Sequence, residues 1–185
     1  MMNKDIDRIL ISNSEIEKKT KEIAKQITND YKGEEVLVVG ILRGSVLFFA
    51  ELVKNIELDL MFDFMYVSSY GTGTESSGEV KIVKDINQSI KGKNVLIIED
   101  IIDTGRTLTN LKQILSTRNP KSIKICSLLD KPSRRVVDLE GDYVGFTIPD
   151  EFVVGFGLDY NERYRNLPHV CVLKESAFKN EEDDK

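Results

Sequence analysis

The residues best suited to chemistry follow a short apolar run near the middle of the chain. Residues 95–98 are entirely apolar, and Glu99, Asp100 and Asp103 come directly after them. Two adjacent carboxylates at the end of a buried strand are costly unless a cation or hydroxyl groups meet them. A ribose diol or a hydrated magnesium ion would supply such partners. We therefore expect a sugar site, with or without a metal, at this point of the chain.

The four residues that follow Asp103 are suited to bind a phosphate group. They are Thr104, Gly105, Arg106 and Thr107. These residues lead into a predicted helix over 106–117, and backbone N–H groups at a helix N-terminus attract anions. Gly105 would let the backbone approach the ligand closely. Taken singly, the acids could be solvated loop residues and Thr104 could cap the helix, but the combination is more specific than any one member.

Alternating strands and helices are predicted to position this segment. The predicted strands cover residues 36–42, 58–67, 94–98, 121–129, 143–148 and 152–156, and the predicted helices cover residues 14–31, 45–55 and 106–117. Residues 36–42 are almost wholly apolar, which is typical of a central parallel strand that is buried on both faces. The alternation predicts an α/β fold with a mostly parallel sheet. Ligands of such sheets collect at the carboxyl ends of the strands.

Two local patterns refine this prediction. Ser14 and Glu17 have the spacing of a capping box at the start of the first helix, whose buried face would follow at helical spacing. The members of that face are Ile16, Ile23, Ala24, Ile27 and Tyr31. In the strand over 58–67, Phe62, Phe64 and other apolar residues alternate with Asp59 and Asp63. That strand is therefore expected to have one more polar face.

The length and composition favour a single domain. The chain has 185 residues, of which 41% are hydrophobic, enough for one core of ordinary size. We predict one domain over residues 1–178 and a charged, disordered tail over 179–185. Residues 68–79 are rich in Gly, Ser and Thr and are predicted to form a mobile loop. A loop of that length in a compact domain indicates either a lid or an error in the assignment of the elements around it.

Charge and hydrophobicity exclude several classes of partner. The formal net charge of -5 opposes a general attraction to nucleic acid or to anionic lipid. Neither a signal-like hydrophobic start nor a membrane-spanning stretch is present in the sequence, so we expect a soluble, cytoplasmic protein. Cys126 and Cys171 lie in apolar stretches and are expected to be buried thiols, and His169, the one histidine, is expected to be structural.

The segment Glu-Asp-Ile-Ile-Asp-Thr-Gly over residues 99–105 resembles the phosphoribosyl pyrophosphate signature of the type I phosphoribosyltransferases, in the form of the hypoxanthine-guanine branch. The resemblance extends over roughly Ile9 to Glu175. It implies a parallel sheet flanked by helices, with a small hood formed by the terminal segments. It also implies a magnesium-dependent transfer of ribose 5-phosphate from phosphoribosyl pyrophosphate to a 6-oxopurine, in a homodimer or homotetramer.

The resemblance assigns roles to residues beyond the signature. Residues 42–45 resemble the pyrophosphate loop of the family, which contains a non-proline cis peptide. Arg43 and Gly44 would bind pyrophosphate together with Arg165, although Arg43 alone would be taken for a surface cation. Ser69 and Tyr70 match the start of the catalytic lid, which would exclude water from the reaction centre.

Four further matches concern the purine. Lys131 matches the lysine that donates to the 6-oxygen, so adenine should be rejected. Phe152 and Val153 match the pair that stacks on the base and contacts it through a main-chain carbonyl, although core packing would be their default interpretation. Asp159 matches a contact to the metal or to the base edge. Arg134 and Arg135 are equally consistent with a pyrophosphate contact and with a solvated basic pair.

The implied mechanism is a displacement at the anomeric carbon of the ribose. Glu99 and Asp100 would hold the ribose hydroxyls, and with Asp159 they are the predicted magnesium ligands. Asp103 would act as the general base that takes the proton from the purine. One alternative is a nucleic-acid-binding regulator of the same fold that uses the pocket as a nucleotide sensor, and a response-regulator domain ranks last. The order of preference among hypoxanthine, guanine and xanthine stays open.

Overall fold

The computed structural model describes residues 4–69 and 80–178. The strands are β1 (Ile6–Ile11), β2 (Val36–Leu42), β3 (Met61–Ser69), β4 (Val80–Lys84), β5 (Asn94–Ile102), β6 (Ser122–Asp130), β7 (Tyr143–Thr147), β8 (Val153–Val154) and β9 (Val170–Leu173). The α-helices are α1 (Asn13–Asp30), α2 (Val46–Val53) and α3 (Arg106–Ser116), and short 3₁₀ turns cover Pro132–Arg134 and Glu175–Ala177.

A six-stranded sheet with the order β4-β3-β2-β5-β6-β7 forms the body of the molecule. The five strands from β3 to β7 in this order are parallel, and β4 is antiparallel to β3 at one edge. Helices α1 and α2 pack on one face of the sheet, and α3 packs on the other. The predicted α/β class with a mostly parallel sheet is confirmed.

Strand β2 is buried on both faces, as its composition predicts. Val36 and Val38 belong to the core under α1 and α2, whereas Leu37 and Val39 belong to the core under α3. All four side chains are fully buried, and each contributes about 1.5–3 kcal/mol relative to an exposed position. The carboxyl end of β2 therefore has a well-anchored position in the middle of the sheet.

The first helix has the predicted buried face but a different cap. The residues that were expected on that face are all buried. The capping box, however, joins Ser12 and Glu15, not Ser14 and Glu17. Both pairs have the same spacing, and the choice between them depends on where β1 ends. Because β1 ends at Ile11, the chain turns at Ser12 and the helix begins there.

Two strand predictions need correction. Strand β5 continues to Ile102, because Ile101 and Ile102 keep their pairing with β6. Glu99 and Asp100 therefore lie within the strand and not beyond its end. In β3 both faces pack against the core: Phe64 of the expected face packs against the cluster under α1 and α2, and Met61 and Val67 of the other face pack against the cluster under α3. Met65 is fully buried, whereas Phe62 is 57% exposed and packs its ring against Phe49.

A small antiparallel sheet with the order β1-β9-β8 joins the two ends of the chain. It has its own apolar cluster, which includes Ile6, Val154 and Leu173, and it forms the hood that the resemblance implied. Strands β1, β4 and β9 were not predicted, since each is short, and β1 and β9 pair with each other from opposite ends of the chain. His169 has the expected structural role, because its Nδ1 accepts from the Asn13 N–H at 2.9 Å.

Cys126 and Cys171 are free and buried, as expected. Among the helices in residues 4–69 and 80–178, none is both long and apolar enough to cross a membrane. Ser69 is the last residue of β3. Tyr70, the rest of the predicted lid and the tail over 179–185 lie outside the described residues.

Candidate active site

The loop after β2 lies directly against the acid pair of β5. The Leu42–Arg43 peptide bond is cis, as the resemblance implied. Gly44 follows it, and a Cβ atom added to Gly44 would lie 1.6 Å from Oδ2 of Asp100. Ser45 then ends the loop, and its buried Oγ donates to the carbonyl of Ile41 at 2.5 Å. Only glycine fits between this loop and β5.

A second loop, over residues 155–165, closes over the first. Gly157 has φ +100, and a Cβ atom there would lie 1.9 Å from the carbonyl oxygen of Gly44. The side chain of Arg165 is fixed within this second loop. Its Nη1 donates to the carbonyl of Gly157 at 2.8 Å, and its Nη2 lies 2.9 Å from Oδ1 of Asp159. Two glycines thus allow three distant segments to meet at one place.

These segments surround a cavity of about 300 Å³ at the carboxyl ends of β2 and β5. Its lining includes seven of the residues selected from sequence, namely Arg43, Gly44, Glu99, Asp100, Thr107, Asp159 and Arg165. Tyr66 and Val67 of β3 also line it and were not selected. The guanidinium of Arg43 lies 5.9 Å from the centre of the Tyr66 ring, within the range of a cation–π interaction.

The acid pair is electrostatically unsatisfied. Burial and the neighbouring charge of Asp100 raise the pKa of Glu99 well above its ordinary value. Burial also raises the pKa of Asp100 to about 6, although the Ile101 N–H donates to its Oδ1 at 2.8 Å. Arg165 lowers the pKa of Asp100 and Asp159 raises it, and both effects are smaller than that of burial. A cation placed beside these carboxylates would relieve the cost of burying them.

The turn after β5 leads into a helix at Arg106, as predicted, but the residue that caps this helix is not the one considered. Gly105, with φ +81, is the N-cap of α3, so Thr104 is not the cap. Arg135 holds the turn in place, since its Nε donates to the carbonyl of Asp103 at 3.0 Å and its Nη2 pairs with Asp130. The pyrophosphate contact considered for Arg135 is therefore not supported.

Asp103 and Arg134 lie together at this turn. Nε of Arg134 is 3.3 Å from Oδ1 of Asp103, and Nη1 of Arg134 is 4.0 Å from Oδ2 of Asp150. The side chain of Asp103 is 42% exposed. It is thus accessible to a bound purine, with a cation beside it. Arg106, at the start of α3, is exposed.

Three of the predicted purine residues, Lys131, Phe152 and Val153, lie outside the 300 Å³ cavity, whereas Asp159 lines it. Lys131 is 8% exposed, and its Nζ donates to the carbonyl of Glu151 at 2.6 Å. Burial lowers the pKa of Lys131. Phe152 follows Glu151 and is 40% exposed, whereas Val153 is buried in β8. Lys131 and Phe152 therefore both lie next to Glu151.

The ring of Phe152 is supported by two aromatic side chains that sequence analysis did not select. Phe178 stacks on Phe152 with ring centres 5.1 Å apart, and Tyr160 meets it edge to face at 5.4 Å. Phe178 lies just after the last 3₁₀ turn. Nothing in the sequence around Phe178 indicates a role near the site.

The three predicted metal ligands do not form a complete protein site. In the part of the chain that the structure describes, no three acidic, histidine or cysteine side chains are grouped to hold a metal ion. Asp159 lines the same cavity as Glu99 and Asp100, but it is paired with Arg165. Magnesium, however, is usually bound by one or two carboxylates together with substrate phosphates and water. The donor set of Glu99 and Asp100 fits that mode.

The fold and the site agree with a known family. Residues 8–161 match the family model described as the phosphoribosyl transferase domain. This match includes the acid pair, the Thr104–Thr107 turn, Lys131 and Asp159. The chain belongs to the phosphoribosyl transferase family, as the resemblance of residues 99–105 suggested.

Individual relatives agree with one branch of that family. The chain is 56% identical over 178 residues to a hypoxanthine-guanine phosphoribosyltransferase from Streptococcus thermophilus, covering 96% of this chain and 99% of the relative. A solved hypoxanthine phosphoribosyltransferase from Staphylococcus aureus has a TM-score of 0.93 and 50% identity, covering 95% of this chain and 96% of that one. The hypoxanthine phosphoribosyl transferase of Trypanosoma cruzi has a TM-score of 0.93 and 38% identity, covering 99% of both chains.

Proposed function

We propose that this enzyme transfers the 5-phosphoribosyl group from phosphoribosyl pyrophosphate to hypoxanthine and guanine, giving IMP, GMP and pyrophosphate in purine salvage. The observation that carries the proposal is the meeting of Arg43, Asp100 and Arg165 around one cavity. It joins two cations suited to a diphosphate with carboxylates suited to a ribose and its metal. The relatives described above are named as enzymes of this reaction, which favours it over the regulator.

The cavity residues would act on the leaving group and the sugar. As the bond from the anomeric carbon to pyrophosphate breaks, Arg43 and Arg165 offset the charge that grows on the diphosphate oxygens. Glu99 and Asp100 hold the ribose hydroxyls, and their negative field favours a ring with oxocarbenium character. Thr104 to Thr107 bind the 5-phosphate at the start of α3, where backbone N–H groups point outward.

Asp103 would complete the reaction as the general base. A purine nitrogen forms the new bond to the anomeric carbon and loses its proton to the carboxylate of Asp103. The side chain is accessible and lies next to Arg134.

Lys131 would select the base. Its Nζ already donates to the carbonyl of Glu151 and would donate another hydrogen bond to the 6-oxygen of the purine, since an ammonium group has three donors. Adenine carries an amino group at that position and offers no acceptor there. A buried donor left without a partner is costly, so adenine should be excluded. Phe152 would stack on the base, and the main chain of Val153 would contact its edge.

We propose magnesium as the metal of this site, where it would be held by Glu99 and Asp100. It would supply positive charge to the pyrophosphate and to the ribose hydroxyls. Asp159 would have to leave its ion pair with Arg165 to become a third ligand. Removal of magnesium by a chelator should abolish turnover.

We propose that the enzyme is a homodimer or homotetramer. Val46 and Leu47 of α2 and Phe62 of β3 are 40%, 37% and 57% exposed. Exposed apolar patches mark protein interfaces, and a second copy of the chain would cover these side chains. Light scattering of the purified protein would give the number of subunits.

The proposed reaction is tested by offering hypoxanthine, guanine, xanthine and adenine separately, with phosphoribosyl pyrophosphate and magnesium, in a spectrophotometric assay. We expect nucleotide formation with hypoxanthine and guanine and almost none with adenine. Asp103→Asn is the matched variant, because it keeps the shape of the side chain and removes the carboxylate that would accept the proton. It should lower kcat by about 100-fold with little change in substrate affinity. The absence of turnover with every base would contradict the proposal and favour the regulator.

A further inference from the structure

Glu162 contacts both of the arginines that are proposed to bind the diphosphate. Its Oε1 accepts from Nη2 of Arg43 at 2.8 Å, and its Oε2 lies 3.5 Å from Nη2 of Arg165. Arg43 and Glu162 are 119 positions apart, so their pairing is a consequence of the fold. One carboxylate thus bridges two cations that come from different loops.

The backbone holds Glu162 in this place. It has φ +60, in the left-handed region, and sits at the tip of a tight turn in which Tyr160 and Arg163 exchange backbone hydrogen bonds of 3.0 and 3.3 Å. Its own N–H donates to Oδ2 of Asp159 at 2.9 Å, while Oδ1 of Asp159 pairs with Arg165. The carboxylate is therefore directed toward the arginines by a turn that is itself anchored at the site.

A carboxylate and a diphosphate compete for the same donors. Both present pairs of anionic oxygens to a guanidinium, and a given N–H group cannot serve both at full strength. We propose that Glu162 occupies the guanidinium donors of Arg43 and Arg165 in the ligand-free enzyme and is exchanged for the diphosphate of the substrate. This inference rests on the proposed function and adds a residue to it. By competing in the same way with the product, Glu162 also promotes the release of pyrophosphate.

The size of the effect follows from exposure. The side chains of Arg43 and Glu162 are 54% and 61% exposed, so water screens their attraction and the exchange is inexpensive. We therefore expect a change of about threefold in affinity, not the loss of a tight interaction. A modest competitor of this kind keeps the two arginines near each other without blocking the substrate.

The test measures binding of inorganic pyrophosphate with magnesium by isothermal titration calorimetry, together with the KM for phosphoribosyl pyrophosphate. Glu162→Gln should bind pyrophosphate about threefold more tightly and show a KM lower by a similar factor. Glu162→Asn should behave alike, because it removes the charge and suits the left-handed backbone. Weaker binding, or binding equal to that of the unmodified enzyme, in both variants would overturn the inference.

Two controls separate contact from general electrostatics. Glu57→Gln removes an exposed negative charge that does not line the cavity, and it should leave pyrophosphate binding unchanged. In an Arg43→Gln background, the gain from Glu162→Gln should shrink, because one of the two competing donors is gone. A gain of the same size in that background would indicate a long-range charge effect and contradict direct exchange.

The same experiment distinguishes the two proposals. If the unmodified enzyme binds no pyrophosphate and shows no turnover, the proposed function fails. If it binds pyrophosphate and the Glu162 variants match it, only the exchange fails.

Discussion

Where the Gly44 loop meets Asp100, the contact is made by backbone atoms and one carboxylate, with no room for a Cβ atom. Around Phe152, by contrast, three aromatic side chains meet at ring distances of 5.1 to 6.5 Å, and the Phe152 ring is 40% exposed. The first region lies where the central strands β2 and β5 end, and the second lies in the hood. They are proposed to bind the two reactants, the sugar diphosphate and the base.

The difference between the regions concerns how each can respond to change. The backbone segments at the ends of β2 and β5 are anchored by buried strands, so a new atom there must displace a strand or a loop. Side chains in the hood can change rotamer and fill part of a gap. We therefore expect substitutions at the ends of β2 and β5 to cause abrupt losses of activity, and substitutions in the hood to cause graded ones.

The largest effect is expected for Gly44→Ala. The added Cβ would overlap Asp100 and push the Arg43 loop away from β5. Activity should fall on the order of 1,000-fold, because both the arginine and the carboxylate are displaced. The free energy of unfolding should fall by about 1–3 kcal/mol, as for other overpacked sites. Steady-state kinetics and denaturant unfolding measure the two effects.

Gly33→Ala is the matched control for this substitution. A Cβ at Gly33 meets nothing within 4 Å, although φ is +78 there. The control should lose about 1 kcal/mol of stability through backbone strain and keep its activity. Full activity of Gly44→Ala would contradict the claim that no Cβ atom fits between Gly44 and Asp100.

A smaller effect with an unusual sign is expected for Asp100→Asn. Activity should fall on the order of 100-fold, because the ribose and its metal lose a ligand. The ligand-free protein, however, should become more stable at pH 7.5, by about 1–2 kcal/mol, because an uncompensated buried charge is removed. Thermal unfolding without substrate, compared with the kinetic loss, separates the two consequences.

The pH dependence of that stability gain follows from the pKa of Asp100. Burial raises this pKa from 3.8 to about 6, so the folded protein binds the proton more tightly than the unfolded chain does. The stability that Asp100 contributes is fully present below about pH 4 and is lost as the pH rises through about 6. The advantage of Asp100→Asn should therefore be smaller at pH 5 than at pH 7.5. A gap that does not depend on pH would contradict this account.

The smallest effect is expected in the hood, for Phe178→Ala. Removing the ring that stacks on Phe152 should raise the KM for hypoxanthine about 3–10-fold, since a stacked aromatic pair contributes about 0.5–1.5 kcal/mol. The KM for phosphoribosyl pyrophosphate should not change. Phe178→Tyr keeps the ring and should restore the value of the unmodified enzyme. Equal increases in both KM values would mean that Phe178 acts on the whole fold and not on the base site.

Much of the fold was predictable because its signals are local. The strands β2 and β5 follow from continuous apolar runs, and the buried face of α1 follows from a periodicity of about 3.6 residues. The boundaries were less predictable. The end of β5 depends on the pairing of Ile101 and Ile102 with β6, and the start of α1 depends on where β1 stops. Pairing between distant segments leaves little trace in a short window of sequence.

The sequence by itself determined the class of sheet and the segments that carry the acid pair, the phosphate turn and the candidate arginines, because these depend on neighbouring residues. Only the tertiary structure decided that Gly44 lies against Asp100, that Arg135 supports the turn of Asp103, and that Glu162 bridges two arginines. Contacts of that kind depend on strand register and on loop geometry across the whole chain. Their physical basis is the close packing of segments that meet only after folding.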